Sequence, residues 1–130
     1  MNLIIDNREQ EIKNYFKEYN NVSFENLDLG DIRFEYEQQL ILLIERKSLK
    51  DLANSIKTGR YREQKMRLLS SQIPKDKIVY LIEGQLEPGI SIDKVPYSTF
   101  IGCMINTTIR DNFKVYQTNN LEATLYFLQS

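Results

Sequence analysis

Two short runs of branched apolar residues, Ile41-Leu42-Leu43-Ile44 and Ile78-Val79-Tyr80-Leu81-Ile82, constrain the fold more than anything else in this chain. Continuous rather than alternating apolar character marks strands covered on both faces, the pattern of central strands in a sheet with helices on each side. The first run leads directly into Glu45-Arg46-Lys47, so a buried strand delivers charged residues. Residues two apart on a strand project to one face. Glu45 and Lys47 therefore stand side by side while Arg46 points to the other face, its backbone carbonyl still free to act as an oxygen donor.

The remaining elements alternate around these two strands. A strand at Leu3–Ile5 is followed by a helix that Asp6 can cap, with Ile12, Tyr15, Phe16 and Tyr19 at the three-and-four spacing of one buried face. Val22–Leu29, with a slip in its alternation, and Ile32–Tyr36 read as strands that form a meander with residues 40–46. Ser48 reads as an N-cap for a helix whose Leu49, Leu52, Ala53 and Ile56 share a face and which Gly59 ends. A second helix is expected from about Tyr61 to Ser71, and Pro74 stops it. Tyr97–Arg110 has helical spacing, with Phe100, Ile101, Met104, Ile105 and Ile109 expected in the core. Lys114–Gln117 suits a strand, and Leu121–Leu128 a last apolar helix. The order predicts an α/β domain with a central mixed sheet flanked by helices.

Composition narrows the chemistry. The 130 residues contain no histidine, which excludes a Ser-His-Asp triad, imidazole-bound zinc and an imidazole base. A single cysteine, Cys103, excludes an internal disulfide framework and a thiolate-rich metal site and fits a reducing compartment, where its side chain acts as a small apolar group. No apolar run approaches the roughly 20 residues of a spanning helix, so a soluble, intracellular protein with one core is expected. The net charge is −1, which rules out bulk attraction to nucleic acid. Local segregation remains: residues 57–67 hold five basic residues and one acid.

Carboxylate and lysine chemistry is what is left, and the spacing gathers it. Gly30-Asp31 precedes Glu45-Arg46-Lys47 by thirteen residues, and Asp51 follows after three more. Magnesium prefers oxygen ligands and is usually held by one or two carboxylates plus substrate phosphate, which Asp31 and Glu45 can provide. Lys47 beside them can orient water or hold the attacked phosphate, and a role as proton acceptor would require a lowered lysine pKa.

The segments Ile5-Asp6-Asn7-Arg8-Glu9, Leu29-Gly30-Asp31, Ile44-Glu45-Arg46-Lys47-Ser48, Asp51-Leu52, Ser55-Ile56 and Gly59-Arg60-Tyr61-Arg62-Glu63-Gln64 together resemble the XPF-type nuclease domain, over roughly Ile5 to Leu128. The resemblance implies a restriction-endonuclease-like core and a metal-dependent, structure-specific DNA endonuclease acting at a 3′ flap, fork or nicked junction, in repair or recombination. It makes Asp31 and Glu45 ligands of Mg²⁺ or Mn²⁺, the Arg46 carbonyl a further ligand, Lys47 the catalytic lysine and Asp51 a support. It places Asp6 and Glu9 at the edge of the site, and Arg60, Glu63 and Gln64 near the scissile strand. Many members of this family continue into helix-hairpin-helix modules. Here residues 1–130 are expected to be the nuclease domain alone, in the nucleus or another DNA-containing compartment.

Some of these residues also have simpler readings. Asp51 completes a capping box with Ser48, and Asp6 with Glu9 can serve as a helix cap and a dipole partner. Asp31 alone would read as a turn residue. In the basic stretch, Arg60, Arg62, Lys65 and Arg67, with Glu63 and Gln64, are expected to receive a DNA backbone. Tyr61 reads more readily as packing than as a stacking platform. Leu125, Phe127 and Leu128 crowd more than one face of the last helix. The resemblance then implies a homodimer, or pairing with a different subunit, through the C-terminal elements. A noncatalytic DNA-binding scaffold and a restriction- or resolvase-type nuclease on the same core are the competing functions.

Overall fold

The computed structural model describes residues 1–130. Six strands form one sheet in the order β2-β1-β3-β4-β5-β8: β1 (Asn2–Asp6), β2 (Val22–Glu25), β3 (Ile32–Tyr36), β4 (Gln39–Ser48), β5 (Ile78–Glu83) and β8 (Lys114–Thr118). The two branched apolar runs become β4 and β5, which pair in parallel at its centre, and β8 adds to β5 in parallel. β3 is antiparallel to both β1 and β4, so the sheet is mixed, as predicted. A small ribbon, β6 (Ser91–Ile92) with β7 (Val95–Pro96), lies apart.

Helices cover the two faces. On one side α2 (Leu49–Thr58), α3 (Arg60–Leu69) and α4 (Tyr97–Ile105) bury Leu49, Leu52, Ala53, Leu68 and Phe100 against Leu43, Ile78, Tyr80 and Ile82. On the other side α1 (Gln10–Phe16) and α5 (Leu121–Gln129) set Ile12, Phe16 and Leu128 against Ile5, Ile32, Ile44, Val79 and Leu81. Each fully buried side chain of this size contributes roughly 1.5–3 kcal/mol of transfer free energy. Alternation along β4 thus feeds two cores, and it carries Glu45 and Lys47 to the first face and Arg46 to the second.

Three expectations fail for identifiable reasons. Residues 22–29 form a strand only as far as Glu25, because the buried carboxylate of Asp6 takes the Leu27 N–H at 2.9 Å and turns the chain out of the sheet. β2 consequently pairs in parallel with β1, and the meander is β1-β3-β4. Asp6 also does not cap α1. Glu9 occupies that position without a side-chain cap bond, while Asp6 is committed to Arg8 and Leu27. With α1 ending at Phe16, Tyr15 and Tyr19 stay 45% and 41% exposed.

The third departure is in the long helix. Beyond Ile105 it widens into a π-helical turn, Asn106–Arg110, with Asp111 N–H donating to Asn106 O at 3.1 Å. Thr107 lies inside this turn, its hydroxyl donating to Cys103 O at 2.8 Å and meeting the Tyr61 hydroxyl at 2.6 Å. An inserted residue rotates the helical phase. Phe100 is buried as expected, yet Ile105 and Ile109 come out 50% and 76% exposed.

Gly30 sets the approach to β3. Its φ is +74°, and a Cβ there would meet Leu43 Cδ1 at 2.5 Å. Gly30→Ala should therefore destabilise the fold by about 2–4 kcal/mol, from left-handed backbone strain plus core overpacking, read as a lower midpoint in urea unfolding with an unchanged slope.

Candidate active site

β4 is longer than its neighbour β3, and the difference builds the site. The last ladder partners are Ile32 and Ile44, with Asp31 N–H donating to Ile44 O at 2.8 Å. One step further, Arg46 N–H finds no β3 carbonyl and donates instead to Asp31 Oδ2 at 2.8 Å. The aspartate side chain thus continues the antiparallel ladder where the backbone has turned away. Its conformation is fixed as firmly as a strand residue, and Oδ1 is left for another partner.

Asp31 and Glu45 line one cavity of about 380 Å³ together with Arg8, Gly30, Gln64 and Arg67. Burial, with Glu45 close by, pushes the Asp31 carboxyl up to about 7. Burial likewise raises Glu45, against the pull of Lys47, Arg67 and Arg8. Two half-buried acids that resist ionisation beside each other are a site short of positive charge, and perturbation of this kind is typical of functional carboxylates. The observation fits a hard divalent cation held by two carboxylates, with its remaining positions left to water and substrate phosphate. No third acid joins them in a ready-made ligand cluster.

The other expected residues fall into distinct places. Lys47 shares the face of Glu45, and its ammonium donates at 2.7 Å to Oε1 of Gln64 on α3, a residue that lines the cavity. Arg46 crosses to the opposite face, where Nη1 meets Glu9 at 2.6 Å and Nε and Nη2 grip Glu83 at 3.0 and 2.8 Å. Burial opposes the Arg46 charge, but these carboxylates outweigh it and raise its pKa. Glu9 is therefore tied to Arg46, and its charge still adds to the rise of the Asp31 and Glu45 carboxyls. Asp51 is exposed in the first turn of α2, its N–H capped by Ser48 Oγ at 3.1 Å.

On α3, Arg60, Arg62, Glu63 and Arg67 are exposed, and Arg67 also donates to Asp28 O at 3.1 Å. Lys65 has to be removed from the expected DNA-facing set. Its ammonium is buried, paired with Asp111 at 2.8 Å and seated 4.6 Å from the centre of the Tyr61 ring. Tyr61 belongs to the same packing, and burial raises its pKa.

Two residues were not foreseen. Arg8 lies on the rim of the cavity, gripped by Asp6 at 2.8 and 3.1 Å, and the Arg8 hydrogen bond holds the Asp6 carboxyl down at about 2. Asp6 therefore orients an arginine at the edge of the cavity. The Asp-x-Arg spacing directly after a strand was the available signal. Glu83 carried no signal beyond ending the second apolar run.

The architecture is that of a mixed sheet with helices on both faces, and solved structures share it. It superimposes on XPF from Aeropyrum pernix with a TM-score of 0.75 over 99% of this chain and 62% of that one, at 19% identity. The same protein in complex with DNA gives a TM-score of 0.77, over 98% of this chain and 61% of that one. Among curated proteins, crossover junction endonuclease MUS81 of Arabidopsis thaliana is 30% identical over 141 residues, covering 95% of this chain and 20% of its own length. The structure-specific endonuclease subunit MUS81 of Danio rerio is 35% identical over 76% of this chain and 16% of its own. An ERCC4 domain-containing protein of African swine fever virus, EP364R, is 34% identical over 62% of this chain and 22% of its own. The chain spans about a fifth of the length of these relatives. The ERCC4 domain model matches residues 5–130, and the chain belongs to the ERCC4 domain family.

The raised Asp31 pKa implies a stability cost without metal. The native state binds a proton that the unfolded chain releases between about pH 4 and 7, so this contribution to stability falls across that window as pH rises. Asp31→Asn keeps an acceptor for Arg46 N–H and removes the charge. Without metal it should stabilise the fold at pH 8 by on the order of 2–4 kcal/mol, and the gain should vanish near pH 4, as followed by thermal melts at both pH values.

Proposed function

We propose that this chain is the catalytic domain of a structure-specific endonuclease that uses Mg²⁺ or Mn²⁺ to hydrolyse phosphodiester bonds in branched DNA, at a 3′ flap, fork or nicked junction, in repair or recombination. The observation that carries the reading is the pair of half-buried, charge-frustrated carboxylates, Asp31 and Glu45, in one cavity bordered by Arg8, Arg67 and the Gln64–Lys47 contact. Family membership and the curated names of the Arabidopsis and zebrafish relatives support the same class.

Each residue then has a task. Asp31, Glu45 and the Arg46 carbonyl would hold the ion, which would supply positive charge at the phosphoryl oxygens and acidify water. Lys47, steadied by Gln64, orients the attacked phosphate. Arg67, and the Nη1 that Asp6 leaves free on Arg8, offer guanidinium N–H groups to phosphates at the cavity. Arg60 and Arg62 extend this charge along α3 for sequence-independent backbone contact. A DNA-containing compartment is the setting this chemistry requires.

The decisive measurement is cleavage of end-labelled 3′-flap, fork, four-way and duplex DNA with Mg²⁺, Mn²⁺ or chelator. Wild type should cut near the branch only with metal, and Glu45→Gln should lose at least a hundredfold in kcat while still binding DNA. Equal binding by both proteins with no cutting by either would replace the enzyme with a scaffold.

The reading includes a pair of chains joined through the C-terminal elements. Tyr116 on β8 and Tyr126 on α5 are 52% and 66% exposed and line one shallow depression with Phe127, and the zebrafish relative is named as a subunit. Sedimentation should give a homodimer that Tyr126→Arg converts to monomer. A wild-type monomer would point instead to a different subunit on the same surface.

A further inference from the structure

Glu83 lies outside the cavity, on the opposite face of the sheet from Glu45, and nothing above gives it a task. Its surroundings are unusually complete. Its carboxylate accepts both Nε and Nη2 of Arg46, at 3.0 and 2.8 Å, and also the hydroxyl of Thr124, at 2.6 Å. Thr124 is fully buried on α5 and meets the Thr118 hydroxyl of β8 at 2.7 Å. The proton count fixes the direction of this chain. Thr124 has one hydroxyl hydrogen and spends it on Glu83, so Thr118 must donate to Thr124.

Charge neutralisation alone does not require this arrangement. Glu9 already pairs with Arg46 Nη1 at 2.6 Å, and a second acid beside one guanidinium leaves the half-buried cluster with net negative charge. Glu83 adds geometry: a two-point grip fixes the plane of the guanidinium, where one contact leaves it free to swing. What is fixed at the tip is also fixed at the root. The Arg46 peptide N–H holds Asp31 Oδ2 at 2.8 Å, across the sheet from the guanidinium.

We propose that Glu83 is a positioning residue for the metal site: by clamping Arg46 from behind the sheet, and being set itself by Thr124 of α5, it holds the residue-46 peptide that fastens Asp31. The proposal rests on the nuclease reading for its consequence in catalysis, but the clamp itself is a property of the fold. It extends the site's support from β3 and β4 through β5 to the last helix.

Glu83→Gln tests it with little change in shape. The glutamine carbonyl can keep the Thr124 bond, which turns its amide NH₂ toward Arg46 Nη2 and sets donor against donor. Two readouts follow. Amide hydrogen exchange at Arg46 N–H, measured without metal, should quicken about tenfold relative to neighbouring β4 amides. Mn²⁺ affinity by calorimetry should fall roughly 10- to 100-fold, with kcat falling in step and KM for DNA nearly unchanged. Thr124→Val should move both in the same direction by about fivefold. Glu87→Gln, which removes the same charge from an exposed loop, should move neither. Arg46 exchange and Mn²⁺ affinity within twofold of wild type in Glu83→Gln would overturn the proposal. A wild-type protein that neither binds Mn²⁺ nor cuts DNA would overturn the nuclease reading instead, and the exchange measurement would still decide whether Glu83 holds the Asp31 bond.

Discussion

A backbone N–H in a sheet must be paired, and at Arg46 the neighbouring strand has already ended. Asp31 supplies the missing acceptor from its side chain, and most of the site follows from that substitution. The bond fixes one carboxylate oxygen and presents the other. It places Asp31 next to Glu45, the preceding residue on β4, and it requires the sharp left-handed turn at Gly30 that brings the aspartate back toward the strand. The position of the acid is thus decided by sheet register, which is stiff, and not by loop conformation, which is not.

The same geometry leaves the site electrostatically unfinished. Asp31 and Glu45 both sit where burial disfavours their charge, and the surrounding cations, Arg8, Arg67 and Lys47, relieve only part of the penalty. Behind the sheet the hydrogen bonding is complete, since Arg46 is enclosed by two acids and a buried threonine pair. One strand therefore separates a deficient cluster from a saturated one. The saturated cluster gives rigidity, and the deficient one leaves two acids whose charge is only partly balanced, which is what the proposed metal site rests on.

How much of this the sequence disclosed depended on whether the deciding partner was local. β4, β5 and the opposite facing of Glu45 and Arg46 were legible because they rest on period-two alternation within a single segment. The cap at Ser48 and the stop at Gly59 were equally local, and both appear. What failed depended on distant residues. Asp6 looked like a cap until Leu27, twenty-one positions away, was found to claim its oxygen. Lys65 looked like one more surface cation, and only the return of Asp111 from the far side of α4 buries it. The stripe through Ile109 kept helical spacing, but the π-helical turn over Asn106–Arg110 changed the pitch that the spacing assumes. Glu83 carried no mark because its role arises from threonines on elements formed later in the chain.

The hairpin between β3 and β4 separates two mechanical duties. Near the site, Asp31, Ile32 and Ile44 are locked in register. At the far end the chain reverses through Glu37 and Gln38, both with positive φ, and the register shifts between Phe34 and Glu35, so that Ile41 faces no partner. The bulge is slack in the ladder. A residue inserted or deleted at the turn would be taken up there before it reached Asp31, so this hairpin can change in length while the two acids keep their distance in space.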